Sequence, residues 1–193
     1  MHDATRLHGL SEEGERFVAG IQRQLLAMTA VTAPSFASHF RLRPGRWTPT
    51  WNNIGYRDRG AALRICPGLT TSEALSRQFN VEHRVVDATA SPYMRLGALI
   101  HAGTDGIRQK LALAPSLAEG FWNMTHNELE RADFRQLPQS LEDALAQLSS
   151  SEAATAWFGD EYFRVYLQFK PAECRAVGNL SEEAIIAQYA DAY

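Results

Sequence analysis

Lysine and cysteine are nearly missing from this sequence: its 193 residues hold two of each, Lys110 and Lys170, Cys66 and Cys174. The cysteines lie far apart and show no metal-ligand spacing, which argues against a disulfide framework and leaves both as expected buried thiols. No apolar run reaches the roughly 18 residues that a membrane span needs. The opening Met1-His2-Asp3-Ala4-Thr5-Arg6 has no apolar stretch of the signal-peptide kind, so a cytoplasmic protein without a membrane partner is expected. Internal repeats and low-complexity tracts are also absent. Hydrophobic residues make up 45% of the chain and charged residues 21%, a balance that supports a packed core and excludes a disordered chain.

The net charge of −3 is unevenly spread, and 17 of the 19 basic residues are arginine. From Arg41 to Arg95, nine arginines stand against Asp58, Glu73, Glu82 and Asp87, giving that stretch +5 and the remainder −8. The planar fork of arginine matches carboxylate and phosphate, whereas a solvated basic face could use lysine equally well. Codon bias explains the preference for arginine over lysine just as well, but not the clustering. No nucleic-acid partner is expected, because the chain is acidic as a whole and carries no recognised nucleic-acid motif.

Ser11 followed by Glu12, Glu13 and Glu15 predicts a helix start, and Phe17, Ile21, Leu25 and Met28 at helical spacing carry it to about Val31. Prolines and glycines predict a loop with short strands over 34–56, and a polar, turn-like segment is expected from Pro67 to Phe79. Strands are expected at Gly60 to Cys66 and Asn80 to Val86. Ser91-Pro92 predicts a long helix, and Pro115 to Pro138 reads as less regular. Helices are then expected after Ser140, over Glu152 to Phe158, over Asp160 to Phe169 and after Ser181. The fold class is α+β, with a few antiparallel strands packed with helices and a helical C-terminal half.

In an extended strand Glu82 and Arg84 share one face, and Val81, His83 and Val85 the other. A carboxylate beside an arginine can ligate Mg²⁺ while the guanidinium holds an anion. A plain cross-strand ion pair is the simpler alternative. Arg57 and Arg59 also share a face if the strand begins there, and Arg64, of opposite parity, reaches the same site only if a bulge or the strand's end redirects it.

Several segments, in order along the chain, resemble the C-terminal half of the glutamine synthetase catalytic domain. They are Arg41-Leu42-Arg43-Pro44-Gly45, Thr48-Pro49, Arg57-Asp58-Arg59, Ala61-Ala62-Leu63-Arg64-Ile65, Val81-Glu82-His83-Arg84, Ser91-Pro92-Tyr93 and Ala102-Gly103-Thr104-Asp105-Gly106-Ile107. Gly9-Leu10-Ser11 resembles the helix start of the same family. The resemblance implies that residues 1–193 form the C-terminal portion of such a domain, with the small β-domain and the first half of the catalytic domain absent. It implies an ATP-dependent carboxylate–amine ligase that activates glutamate as γ-glutamyl phosphate for attack by ammonia or an amine, with Mg²⁺ or Mn²⁺ as the metal. A homo-oligomer is implied for the complete protein.

Residue by residue, the resemblance gives Arg41 and Arg84 to substrate glutamate, and Arg59 and Arg64 to the ATP phosphates and the transferring phosphoryl group, with Arg59 the catalytic one. It gives Glu82 to metal, and Arg77 to the place where the family often has an ATP-binding lysine. Departures accompany the matches. Trp47 stands where the family usually has a glutamate that helps deprotonate ammonium, so it either lines a site for an alkylamine or packs on Trp51. Asp58 replaces an asparagine and is free to pair with Arg57 or Arg59. One carboxylate cannot hold a pair of Mg²⁺ ions unaided, so the chain alone is expected to be incomplete. The alternative is a non-catalytic anion- or nucleotide-binding module derived from this fold.

Overall fold

A computed structural model describes residues 1–68, 75–113 and 121–190. Residues 69–74 of the expected turn-like segment and 115–120 of the less regular stretch lie outside the described residues.

The first helix, α1 (Glu12–Thr32), begins where the sequence predicts: the Ser11 hydroxyl accepts the Gly14 N–H at 3.1 Å, and three glutamates occupy the positive first turn. Its length carries Val18, Ile21, Leu25 and Met28 through the centre of the core. A short α2 (Ser38–Arg41) and strand β1 (Ile54–Tyr56) fall inside the expected loop. Strand β2 (Leu63–Cys66), the one-turn α3 (Leu75–Gln78) and strand β3 (Asn80–His83) follow. Both predicted strands are present but shortened, β2 at its start and β3 at its end.

The sheet has the order β1-β2-β3. The antiparallel expectation holds for β2 and β3, which pair Leu63 with His83, Arg64 with Glu82 and Ile65 with Val81. It is corrected for β1, which runs parallel to β2 with Ile54 opposite Leu63. The 57–62 connection returns the chain to the same end of the sheet instead of closing a hairpin.

Helix α4 (Pro92–Arg108) starts at the predicted Ser91-Pro92, although Ser91 makes no capping hydrogen bond and the fixed φ of Pro92 sets the start. It lies against α1 with almost no side chain between them: a Cβ at Gly20 would sit 2.1 Å from the Ala102 carbonyl oxygen, and one at Gly106 2.2 Å from that of Arg16. Helix α5 (His126–Arg131) is capped by Thr125 and Glu128 reciprocally. Helix α6 (Leu141–Ser150) has the predicted Ser140 cap, whose hydroxyl accepts the Asp143 N–H at 3.0 Å, and buries Leu141, Leu145 and Leu148 against α1. Helix α7 (Glu152–Thr155) is shorter than predicted. Helix α8 (Asp160–Val177) outruns its predicted end at Phe169 and passes through Pro171, because Lys170, Cys174 and Val177 beyond it are buried. Helix α9 (Glu182–Ala190) ends the described chain.

The two cysteines differ. Cys174 is buried, and that burial pushes its thiol up to about 12, whereas Cys66 at the end of β2 is only half-buried, which corrects the expectation of two buried thiols. Among the described residues, no helix is long and apolar enough to cross a membrane.

Candidate active site

The two faces of the sheet differ as alternation demands. Leu63, Ile65 and Val85 point into the core. On the opposite face the cross-strand partners Arg64 and Glu82 meet, Nη1 to Oε2 at 3.2 Å, and Arg84 Nη1 donates to the same oxygen at 3.2 Å. No bulge is needed to bring Arg64 there. Because β2 begins at Leu63, the condition under which Arg57 and Arg59 would share its face is not met.

Arg41, at the end of α2, completes the cluster from the side. Its Nη2 donates to the carbonyls of Val85 at 2.9 Å and Val86 at 3.4 Å and stands 3.9 Å from Asp87 Oδ2. Burial lowers the pKa of Arg41, Asp87 opposes that shift and the positive charge of Arg84 adds to it, so the two guanidiniums sense each other. Burial alone would raise the Glu82 pKa, but the hydrogen bonds and charges of Arg84 and Arg64 outweigh it and hold the carboxyl below its ordinary value. Three guanidiniums against Glu82 and Asp87 leave a positive excess. The Nε of both Arg64 and Arg84 is buried without a partner among the described residues, so each guanidinium has donors to spare. The cluster fits a carboxylate or phosphoryl group.

It does not fit a metal by itself. Mg²⁺ takes about six oxygens, and Glu82 is one carboxylate already engaged by two guanidiniums. Among the described residues no three His, Cys, Asp or Glu side chains gather as a metal would require.

Behind the cluster, on the core side of β3, His83 keeps both ring nitrogens buried without a partner among the described residues, and burial depresses its pKa to about 4. It lines an apolar cavity of about 400 Å³ with Phe17, Leu63, Val81 and Leu99.

Two predicted residues stand apart from the cluster in the contacts described. Arg77 is exposed at the end of α3. Arg59 is exposed and borders a separate hollow of about 520 Å³ with Trp47, Arg57, Asp58 and Trp122. Asp58 does not spend its carboxylate on either neighbouring arginine: Oδ1 accepts the Gly60 N–H at 2.8 Å and Oδ2 the Trp122 Nε1–H at 2.8 Å. Trp47 is 87% exposed at a positive φ of 55°, while Trp51 packs with Phe121, Leu129 and Phe134, so of the two alternatives for Trp47 the packing on Trp51 is not formed. Sequence reasoning missed Asp87 beside Arg41 and Trp122 beside Asp58. Asp87 follows Arg84 closely enough to have been noticed; Trp122 stands 64 positions from Asp58 and gives no local signal.

A family model described as "Glutamine synthetase, catalytic domain" matches residues 1–189. Over 97% of its length the chain is 31% identical to a gamma-glutamylpolyamine synthetase of Streptomyces coelicolor, covering 41% of that protein. Over 89% of its length it is 33% identical to a glutamine synthetase of Mycobacterium bovis, covering 38% of that protein. A crystal structure described as a novel glutamine synthase homolog superimposes with a TM-score of 0.84 at 34% identity, over all of this chain and 41% of the other. The chain therefore spans about two fifths of the length of the relatives it matches.

Proposed function

The chain belongs to the glutamine synthetase family, and we propose that it supplies the anion-holding wall of an ATP-dependent carboxylate–amine ligase. The observation that carries this reading is the convergence of Arg64 and Arg84 on Glu82 with Arg41 alongside, a positive site with unspent donors. In this reading Arg41 and Arg84 hold the substrate glutamate, Arg64 and Arg59 face the transferring phosphoryl group, and Arg77 contacts the nucleotide. ATP supplies the phosphoryl group that activates the glutamate carboxylate. Cations fixed before the reaction stabilise the charge that gathers on that group without reorganising when it appears. Val85 and Val86 carbonyls hold the Arg41 guanidinium in place, so its orientation does not depend on the ligand.

The nucleophile is ammonia or an amine. Trp47 offers no carboxylate to take a proton from ammonium, and an amine that arrives neutral avoids that need. Glu82 is one ligand of a Mg²⁺ or Mn²⁺ site whose other oxygens come from beyond the described residues, as we propose for the remainder of the domain. ATP use suits the cytoplasmic setting expected from the sequence, and assembly into a homo-oligomer is part of the same proposal. A second reading, a non-catalytic anion- or nucleotide-binding module, is favoured by the engagement of both carboxylates of the cluster, Glu82 and Asp87, with its guanidiniums.

Calorimetric titration with glutamate and with ATP, followed by phosphate release with a panel of amines, separates the readings. The measurements are made on the chain alone and on the chain reconstituted with a segment supplying the family's other carboxylates. Binding with amine-dependent release supports the ligase. Binding without release from the reconstituted protein supports the module, and binding of neither ligand overturns both.

A further inference from the structure

The hollow beside Arg59 is built around an indole. Trp122 sits on the short 3-10 turn Phe121–Asn123, packs edge-on against the buried Phe121 ring at 4.9 Å, and is tied to Asp58 by its Nε1–H. Gly60 makes room for it: a Cβ there would lie 2.3 Å from Cζ2 of Trp122, so no other residue fits without displacing the ring. Trp47 forms another part of the wall, from a turn that Gly45 bends at φ +79°. Two exposed aromatic faces on a fixed frame are an unusual expense for a surface, because 87% of Trp47 and 60% of Trp122 remain in water.

The charges around these faces decide what they accept. Arg57 and Arg59 line the same hollow, and both oxygens of Asp58, the one carboxylate there among the described residues, are occupied by the Gly60 and Trp122 N–H groups. Aromatic faces attract cations, but two guanidiniums over one carboxylate leave a positive excess that repels each additional ammonium of a polyamine. The same excess lowers the pKa of an amine brought close, favouring the neutral form that can act as a nucleophile. Flat faces of this kind stack on a flat apolar group.

We propose that this hollow receives the nucleophile of the ligase as an aryl or arylalkyl monoamine, in preference to ammonia or a polyamine. The proposal rests on the ligase reading and specifies its amine. The nitrogen lone pair forms the new C–N bond at the acyl carbon of the phosphorylated glutamate, the C–O bond to phosphate breaks, and the nitrogen gives up its proton to the departing phosphate or to water. Arg59, at the border of the hollow, then faces the phosphate as it leaves.

Indole N–H signals of the ¹⁵N-labelled chain test this without ATP or glutamate. Titration with aniline or benzylamine should shift the Trp47 and Trp122 signals saturably and leave that of the buried Trp157 in place, with half-saturation about tenfold below that of spermidine or ammonium. Trp47→Ala removes an exposed ring and no core contact, so it should fold and bind the arylamines several-fold more weakly; Trp122→Ala should do the same. Spermidine or ammonium binding as tightly as aniline, or no saturable shift with either arylamine, overturns the proposal. If glutamate and ATP still bind in calorimetry, only the amine assignment fails. If they do not bind while the arylamines do, the ligase reading is what fails.

Discussion

Arg64 and Glu82 face each other directly across the β2–β3 ladder at 3.2 Å, and Arg84, two residues on and just past the end of β3, shares the same carboxylate oxygen. One acid thus spaces two guanidiniums that would otherwise repel. The arrangement is a by-product of strand alternation: Glu82 of β3 and Arg64 of β2 are cross-strand partners on one face, Arg84 just past the end of β3 keeps that parity, and Leu63 and Ile65 anchor the opposite face to the core.

The first prediction concerns acid stability. The folded Glu82 pKa lies below its ordinary value of 4.5, so the stabilisation is present above that value and lost as pH falls through the folded one. With 44% of the side chain exposed, the contribution is small, under about 1 kcal/mol. Glu82→Gln should therefore lower the urea midpoint slightly at pH 7 and match the wild type once the pH has fallen below the folded pKa. A variant that stays less stable at both values would mean that the carboxylate acts through packing and not through charge.

His83 titrates in a different window. Its pKa is depressed from 6.5 to about 4, so the unfolded chain binds the proton more readily and stability falls as pH drops from about 6.5 to about 4. Full protonation of the unfolded state against a neutral folded ring is worth roughly 3 kcal/mol. Because both ring nitrogens are buried without partners, His83→Leu removes a group that contributes no hydrogen bond. The variant should equal or exceed the wild type in urea at pH 5 and show a flatter profile between pH 4 and pH 6.5. An unchanged profile would place the ring nitrogens in water.

The parts of the molecule legible in the sequence are those fixed locally. Ser11 with its glutamates, Ser91-Pro92 and Ser140 mark helix starts through their own backbone chemistry, and the shared face of Glu82 and Arg84 follows from period-two alternation. The parallel pairing of β1 with β2 was not legible, because it depends on how the 57–62 connection turns. Nor was the extension of α8 past Pro171: local propensity argues for a break there, and the burial of Cys174 and Val177 overrides it. Site residues divide in the same way. Arg64, Glu82 and Arg84 come together through strand register, whereas the link between Asp58 and Trp122 joins distant segments that carry no mutual pattern.

The contact between α1 and α4 should be intolerant of a single methyl group. In an open helix Gly→Ala stabilises by about 0.5–1 kcal/mol, but at Gly106 the added carbon would meet backbone at 2.2 Å on Arg16 and 2.7 Å on Gly20. Backbone cannot rotate away as a side chain can, so the helices must separate. Overpacking of this kind costs about 1–3 kcal/mol and outweighs the propensity gain. Gly106→Ala should lower the thermal midpoint by several degrees, and a rise in the midpoint would show that the helices are not held this closely.

Of the two lysines, Lys110 is exposed and Lys170 is 7% exposed, with Nζ donating to the Pro34 carbonyl and to Glu173 Oε2, both at 2.7 Å. Glu173 in turn accepts the Tyr189 hydroxyl, so this ammonium joins the segment after α1 to α8 and α9. Lys170→Met keeps most of the apolar stem but leaves the half-buried Glu173 carboxylate without its cation, held only by the Tyr189 hydroxyl, and the Pro34 carbonyl without its donor, a loss of about 2–4 kcal/mol. Lys110→Met removes only a solvated charge and should fall within about 0.5 kcal/mol of the wild type. Thermal and urea unfolding of the pair should therefore diverge sharply, and equal midpoints would mean that the C-terminal helices are held by apolar packing alone. Glu173→Gln, which removes the charge and keeps one acceptor oxygen for Lys170 while its amide N–H can donate only to the Tyr189 hydroxyl oxygen, should fall between the two.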